Sequence, residues 1–170
     1  MKKISFRPGL ILFLGGFGLL FGMLLRSVSA APSLTLNGVM SAPFPAGLVA
    51  ASRGDLVAWV FNEQGRRNIW IAQGPEFKPR KLTAYSEDDG QEITNLSFSA
   101  DASVIVFVRG GEANGAGEYP NPRSDPKGIE QDIWAIRVSG GEPWRIGEGS
   151  SPLPSPSTQA VAYLLRGKIF

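Results

Sequence analysis

The sequence predicts an all-β fold: a partial β-propeller of four-stranded antiparallel blades, about two complete and part of a third, behind an N-terminal signal helix. Three observations predict it. Short β-rich runs alternate with turn residues through the second half of the chain. Those runs recur at a period of about 45–55 residues, the period of propeller blades. The run Val104–Val108 is apolar at every position, which marks a strand buried on both faces; a one-sided antiparallel sheet would alternate apolar and polar instead.

The chain begins with an export pattern. Lys2, Lys3 and Arg7 precede an apolar run from Leu10 to Leu25, and Val28-Ser29-Ala30 supplies small residues at cleavage spacing. Residues 1–30 are therefore read as a signal peptide cut after Ala30 or Ala31, or, if retained, as a membrane anchor through residues 10–25. Arg26, between the apolar run and the cut site, leans toward the anchor. Residues 31–46, rich in Ala, Pro, Ser and Gly, form a lead-in with a first short strand at Ser33–Leu36. Residues 47–170 hold the blades, near 47–93, 94–150 and 151–170.

The repeat rests on several offsets that agree. Leu56–Phe61, Val104–Val108 and Val161–Leu165 match one another, with Trp59, Phe107 and Tyr163 as equivalent aromatics. Ala51, Ser99 and Ser155 each stand eight residues before them. In the next strand Asn68-Ile69-Trp70, Asp132-Ile133-Trp134 and Lys168-Ile169-Phe170 correspond. The two aromatics lie 11 residues apart in the first copy, 27 in the second and 7 in the third, the 27 reflecting an insertion at Gly110–Gly128. Pro79 and Pro143 each follow the second aromatic by nine, and Leu82 and Ile146 by twelve. The second copy also contains a Gly140-Gly141 turn, which leads into Pro143–Ile146. The chain reaches Phe170 within the third strand of blade three. Closed propellers need about four to eight blades, so the expectation is the front part of a longer protein.

Composition removes several functions. The 17 basic and 15 acidic residues give a net +2, but four of the basic ones lie in residues 1–30, leaving 13 against 15 and a net of −2. Nothing basic remains to recommend nucleic acid as a partner. Cysteine and histidine are both absent, which takes away disulfide stapling, the commonest general base and the commonest transition-metal ligand.

Four features invite a functional reading. Glu87-Asp88-Asp89 with Glu92 is the densest acid cluster; it reads as a cation site, as a docking point for a substrate amino group, or as a solvated loop turning at Asp89-Gly90. Its spacing does not match a calcium loop. The Gly110–Gly128 insertion carries Glu112, Glu118, Tyr119 and Arg123. It lacks the Gly-Lys-Ser/Thr of a phosphate cradle, and its readings are an exposed hairpin insertion or a segment for substrate access or interdomain contact. Trp70, Trp134 and Phe170 form a row that could stack on sugars, but their equivalent positions point to core packing. Asn95-Leu96-Ser97 is a glycosylation sequon in form only.

A family resemblance rests on Leu82-Thr83, Glu87–Ile93, Leu96–Ser99, Val106–Gly111, Asn121-Pro122, Gly140–Pro143 and Gly147–Ser150. In this order they resemble the N-terminal propeller of bacterial serine peptidases of the prolyl oligopeptidase family, in the branch of dipeptidyl peptidase IV and acylaminoacyl peptidase. The likeness covers about Leu56 to Phe170. It implies an exported, periplasmic or extracellular protein whose propeller caps a C-terminal α/β-hydrolase domain and filters peptide substrates by size. Further blades and that hydrolase domain would be its partners, and a membrane would be touched only through an uncleaved N-terminus. Two departures matter. The family's blade turn is Ser-Pro-Asp-Gly, whereas Ser99-Ala100-Asp101-Ala102 and Ser155-Pro156-Ser157-Thr158 lack the glycine, so they must close with another geometry or with strain. No Gly-x-Ser-x-Gly elbow and no histidine is present, so no catalytic, cofactor-binding or metal-ligating residue is assigned and the chain alone is expected to be inactive. The alternatives are a periplasmic propeller of the Tol type that binds partners without enzymatic activity, and a truncated reading frame without function.

Overall fold

The computed structural model describes residues 34–124, 126 and 131–170. The expected signal peptide lies outside them, as does Ser33. The chain divides into two units, Met1–Thr35 and Leu36–Phe170, and every described strand belongs to the second.

The lead-in differs from expectation. A strand at Ser33–Leu36 gives way to a one-turn helix, α1 (Leu36–Met40). Ser41 closes it locally, its N–H donating to the Asn37 carbonyl (2.9 Å) and its hydroxyl to that of Gly38 (3.2 Å). Such bonds satisfy the backbone without a sheet partner. The first strand starts inside the lead-in, at Phe44.

Among the described residues, eleven strands then form three antiparallel sheets in simple up-and-down order. The first contains β1 (Phe44–Ala50), β2 (Leu56–Glu63), β3 (Arg66–Gln73) and β4 (Arg80–Lys81). The second contains β5 (Ile93–Phe98), β6 (Val104–Arg109), β7 (Asp132–Arg137) and β8 (Trp144–Glu148). The third contains β9 (Ser150–Pro154), β10 (Val161–Leu165) and β11 (Lys168–Ile169).

The three sheets repeat bond for bond at their first turn. Ala51 N–H donates to the Leu56 carbonyl, Ser99 to Val104 and Ser155 to Ala160, at 2.9, 2.9 and 2.8 Å. The Ser99–Ala102 turn, which has no glycine, closes with Ala102 in the left-handed region, at φ 59°. An L-residue is strained there. Asp101 offsets that strain: its carboxylate accepts from the hydroxyls of Ser99 (2.6 Å) and Ser103 (2.8 Å) and from the Ser103 N–H (3.1 Å). The next turn repeats in the first and third sheets. Gln64-Gly65 and Arg166-Gly167 both have two positive φ angles, 56° and 90°, then 50° and 74°. That is the type I′ geometry, which suits the twist of a two-residue hairpin.

The aromatic pairs expected from the repeat lie directly opposite each other. Trp59 faces Trp70, Phe107 faces Trp134, and Tyr163 and Phe170 exchange both backbone hydrogen bonds at 3.0 Å. The fourth strand keeps register as well: Lys81 lies opposite Trp70 and Arg145 opposite Trp134.

Face coverage changes in steps along the array. In β2, Leu56, Ala58 and Val60 are buried while Val57, Trp59 and Phe61 are half-buried. In β6, Ile105 to Val108 are all buried, as the unbroken apolar run predicts. In β10, Val161, Tyr163 and Leu165 are half-buried while Ala162 and Leu164 are exposed. Successive strand residues point to opposite faces, so the middle sheet is covered on both faces and each outer sheet on one. Between the first two sheets lies a core of Leu56, Ala58, Val60, Ile69 and Ile71 against Ile105, Phe107 and Ile136, with Trp134 packed on it. Val106, Val108, Ile133 and Ala135 are buried on the other side of the second sheet, where β9 packs against β6 and β7. The first strands also meet, β1 on β5 and β5 on β9. In each sheet after the first, the aromatic pair faces the same way: Phe107 and Trp134 toward the first sheet, Tyr163 toward Gly147 and Gly149 of the second-sheet side.

Core packing therefore holds for Trp134 but not uniformly for the aromatic row. Trp70 is half-buried on the outer face of the first sheet, edge-to-face with Phe61 at 5.6 Å. Phe170 is 57 % exposed. It stacks on Tyr163, at 5.9 Å.

Phe107 is fully buried and Trp134 only partly. Phe107→Ala should cost about 3–5 kcal/mol and Trp134→Ala less, read as shifts of the urea midpoint. Equal costs would contradict the difference in burial. Asp101 offers a pH test. Its hydrogen bonds, that from Ser99 foremost, hold its pKa at about 2 against an ordinary 3.8. The depressed value means the contribution is present above about 3.8 and is lost as pH falls toward about 2. Asp101→Asn should make acid unfolding shallower across that window while lowering stability at pH 7.

Candidate functional site

The order of the strands brings the connection into β5 and the insertion between β6 and β7 to one end of the first two sheets. There the acid cluster and the glycine-rich insertion meet, and the site is built from both.

Its base is a buried polar clamp in β3. Asn68, 1 % exposed, donates its Nδ2 to the Tyr85 carbonyl (2.9 Å) and accepts at Oδ1 from the Tyr85 N–H (2.8 Å) and the Thr83 hydroxyl (3.0 Å). The Thr83 oxygen in turn accepts from the Ile69 N–H at 2.9 Å. A buried amide without partners would be costly; here both ends of the side chain are engaged, so the chain leaving the first sheet is fixed at Tyr85.

Tyr85 positions the next member. The Arg109 guanidinium, at the end of β6, lies 4.0 Å from the centre of its ring. Burial pushes the Tyr85 hydroxyl above its usual pKa of 10.0, with the charge of Arg109 pulling the other way. The phenol therefore stays protonated at neutral pH and is no general base.

Arg109 donates to Oδ2 of Asp89, and Arg123 reaches the same oxygen at 3.3 Å. The other Asp89 oxygen accepts from the Gln91 N–H (2.9 Å). The Asp89 side chain is 11 % exposed and that of Arg109 21 %, a partly desolvated setting in which charged hydrogen bonds are strong. Gly90, at φ 69°, sits directly against Pro122, leaving no room for a side chain. Arg123 and Pro122 thereby seat the insertion on the connection at two adjacent points. Asp88 points elsewhere, to Arg67 at 3.6 Å and to the Gly90 N–H at 3.3 Å.

The acid cluster thus divides. Asp88 and Asp89 turn to separate cations, and among the described residues no three acidic side chains are grouped to hold a metal ion. Asp89 anchors the loop to Arg109 and Arg123. An open cleft of about 530 Å³ lies over it, lined by Glu87, Asp88, Asp89, Gly90, Pro122 and Arg123. Its carboxylates and the exposed side of Arg123 could hold a polar chain end.

The rest of the insertion has local order. Asn114 accepts from the backbone of Ala116 (2.9 Å) and Glu118 (3.0 Å), and its amide donates to the Glu118 carboxylate (2.9 Å). Tyr119, 42 % exposed, lines a second cleft with Gln131, Glu148 and Leu164. Glu112 accepts from Asn95 at 3.2 Å, so the sequon asparagine is already engaged. Residues 125 and 127–130 of the insertion, Gly128 included, lie outside the described residues.

Asn68 and Tyr85 are not singled out by sequence reasoning. A signal existed for Asn68: it is a polar residue in an apolar strand, at the repeat position held by Asp132, which pairs two-pronged with Arg145 at 2.7 Å on each arm.

No protein-family description matches the chain, and no curated protein matches it.

Asp89→Ala should leave Arg109 without its carboxylate and destabilise by about 2 kcal/mol. Amide exchange at residues 118–124 should rise in step. Gly90→Ala, which drives a methyl into Pro122, should raise exchange in the same segment. Protection unchanged in both variants would show that the insertion is not seated here.

Proposed function

We propose that the chain is the non-catalytic, substrate-gating β-propeller part of an exported serine peptidase resembling the prolyl oligopeptidase family. The observation that carries this is the stepwise face coverage: each later sheet presents its aromatic pair to the preceding sheet, and the middle one turns its opposite face to the next. That serial relation, with first strands packed together, suits blades arranged about an axis. The motif order from Glu87 to Ser150 supports the family, and residues 1–30 support export to the periplasm or cell surface.

In this reading the chemistry lies outside these residues. With no histidine in 170 residues, no serine here has the usual base to activate it. The part played by this chain is steric and polar. The seated insertion and the 85–91 connection form one rim of the propeller, and peptides small enough to pass it would reach an α/β-hydrolase domain. Further blades and that domain are its proposed partners.

A fluorophosphonate probe should leave the purified 170-residue chain unlabelled. The complete reading-frame product should be labelled at a serine outside residues 1–170. Asp89→Ala in that product should alter the length of peptide accepted more than the turnover of a dipeptide. Labelling of the 170-residue chain itself, or further sheets with no hydrolase, would overturn the proposal; the latter would mark a binding propeller instead.

A further inference from the structure

Asparagine followed by glycine occurs twice in the chain, at Asn37-Gly38 and Asn114-Gly115, in unlike settings. Asn37 belongs to α1, where its carbonyl accepts from the Ser41 N–H at 2.9 Å. Asn114 heads a turn in the glycine-rich insertion, within the exposed run 112–120. Its Oδ1 accepts from two N–H groups, Ala116 at 2.9 Å and Glu118 at 3.0 Å. Its backbone N–H donates to the Glu118 carbonyl at 2.8 Å, and its Nδ2 donates to the Glu118 carboxylate at 2.9 Å. Such a turn folds the side-chain carbonyl back over the next peptide. The N–H of that peptide, on Gly115, has no acceptor among the described residues. A side chain on Gly115 would meet nothing within 4 Å, so solvent reaches the nitrogen freely.

We propose that Asn114 is a site of spontaneous deamidation, driven by the turn that holds it, and that the conversion unlatches that turn. Hydroxide removes the Gly115 N–H proton, and the nitrogen attacks Cγ of Asn114. Negative charge develops on Oδ1, where the N–H groups of Ala116 and Glu118 already point. Donors placed in advance at a developing oxyanion lower the barrier. The Cγ–Nδ2 bond breaks, and the nitrogen leaves as ammonia with a proton from water. Water then opens the cyclic imide at Cγ, giving aspartate, or at the backbone carbonyl, giving isoaspartate. Either product removes the Nδ2 donor and sets a new carboxylate near that of Glu118, so an attraction becomes a like-charge contact. Isoaspartate also lengthens the main chain by a methylene inside the turn. At Asn37 closure is opposed, because the ring needs ψ rotated away from the helical value of about −42°. None of these steps depends on the propeller reading.

The full chain, folded and incubated at mildly alkaline pH, should convert at Asn114 about tenfold faster than at Asn37, the ratio that a single net hydrogen bond in the transition state supplies. Peptide mapping by mass spectrometry reads each site, and an isoaspartate methyltransferase counts the rearranged product. In urea the two rates should converge, since both sites share the Asn-Gly pair. Gly115→Val shields the nitrogen without meeting a neighbour. It should slow conversion at Asn114 by about tenfold or more and leave the urea midpoint unchanged. Amide exchange at Ala116 and Glu118 should rise in step with conversion of the wild type. Equal rates at the two sites in the folded chain, a difference that persists in urea, undiminished conversion in Gly115→Val, or exchange that stays constant as Asn114 converts would each overturn the proposal.

Discussion

The dryness of both faces of β6 is the constraint on which the rest depends. Ile105 and Phe107 can be buried only if a sheet lies on one side, and Val106 and Val108 only if another lies on the other. A four-stranded sheet has no way to cover itself, so it must be flanked. The first and third sheets meet this need with their own apolar faces, and in doing so each is left with one face uncovered. The repeat of register follows: a one-residue slip in any strand would turn its core side chains outward.

The turns serve the same register. Where the usual glycine is missing, Ala102 carries the positive φ and contributes its methyl to the core between the first two sheets. Strain and packing are coupled at this residue. Asp101 fixes the turn through three hydrogen bonds, so the local geometry is set by polar contacts that a glycine would have made unnecessary.

At the other end, the clamp at Asn68 converts a loop into a platform. From it the contacts run through Tyr85 and Arg109 to Asp89, and from Asp89 to Arg123 of the insertion. The cleft over the acid cluster is therefore held by the most buried polar side chain among the described residues.

The repeat matched three pairs of aromatics as equivalent positions, and the structure places each pair directly opposite across neighbouring strands. The unbroken run Val104–Val108 likewise determined a doubly covered strand. Strand periodicity reports burial, and here it did so without ambiguity. Other features had no local signature. The helix at Leu36–Met40 depends on bonds closed by Ser41. The partition of Glu87-Asp88-Asp89 depends on Arg67, Arg109 and Arg123, which arrive from three separate elements. Sequence determined what pairs along and across neighbouring strands; only tertiary structure decided which charges meet across loops, since that is a property of distance in space.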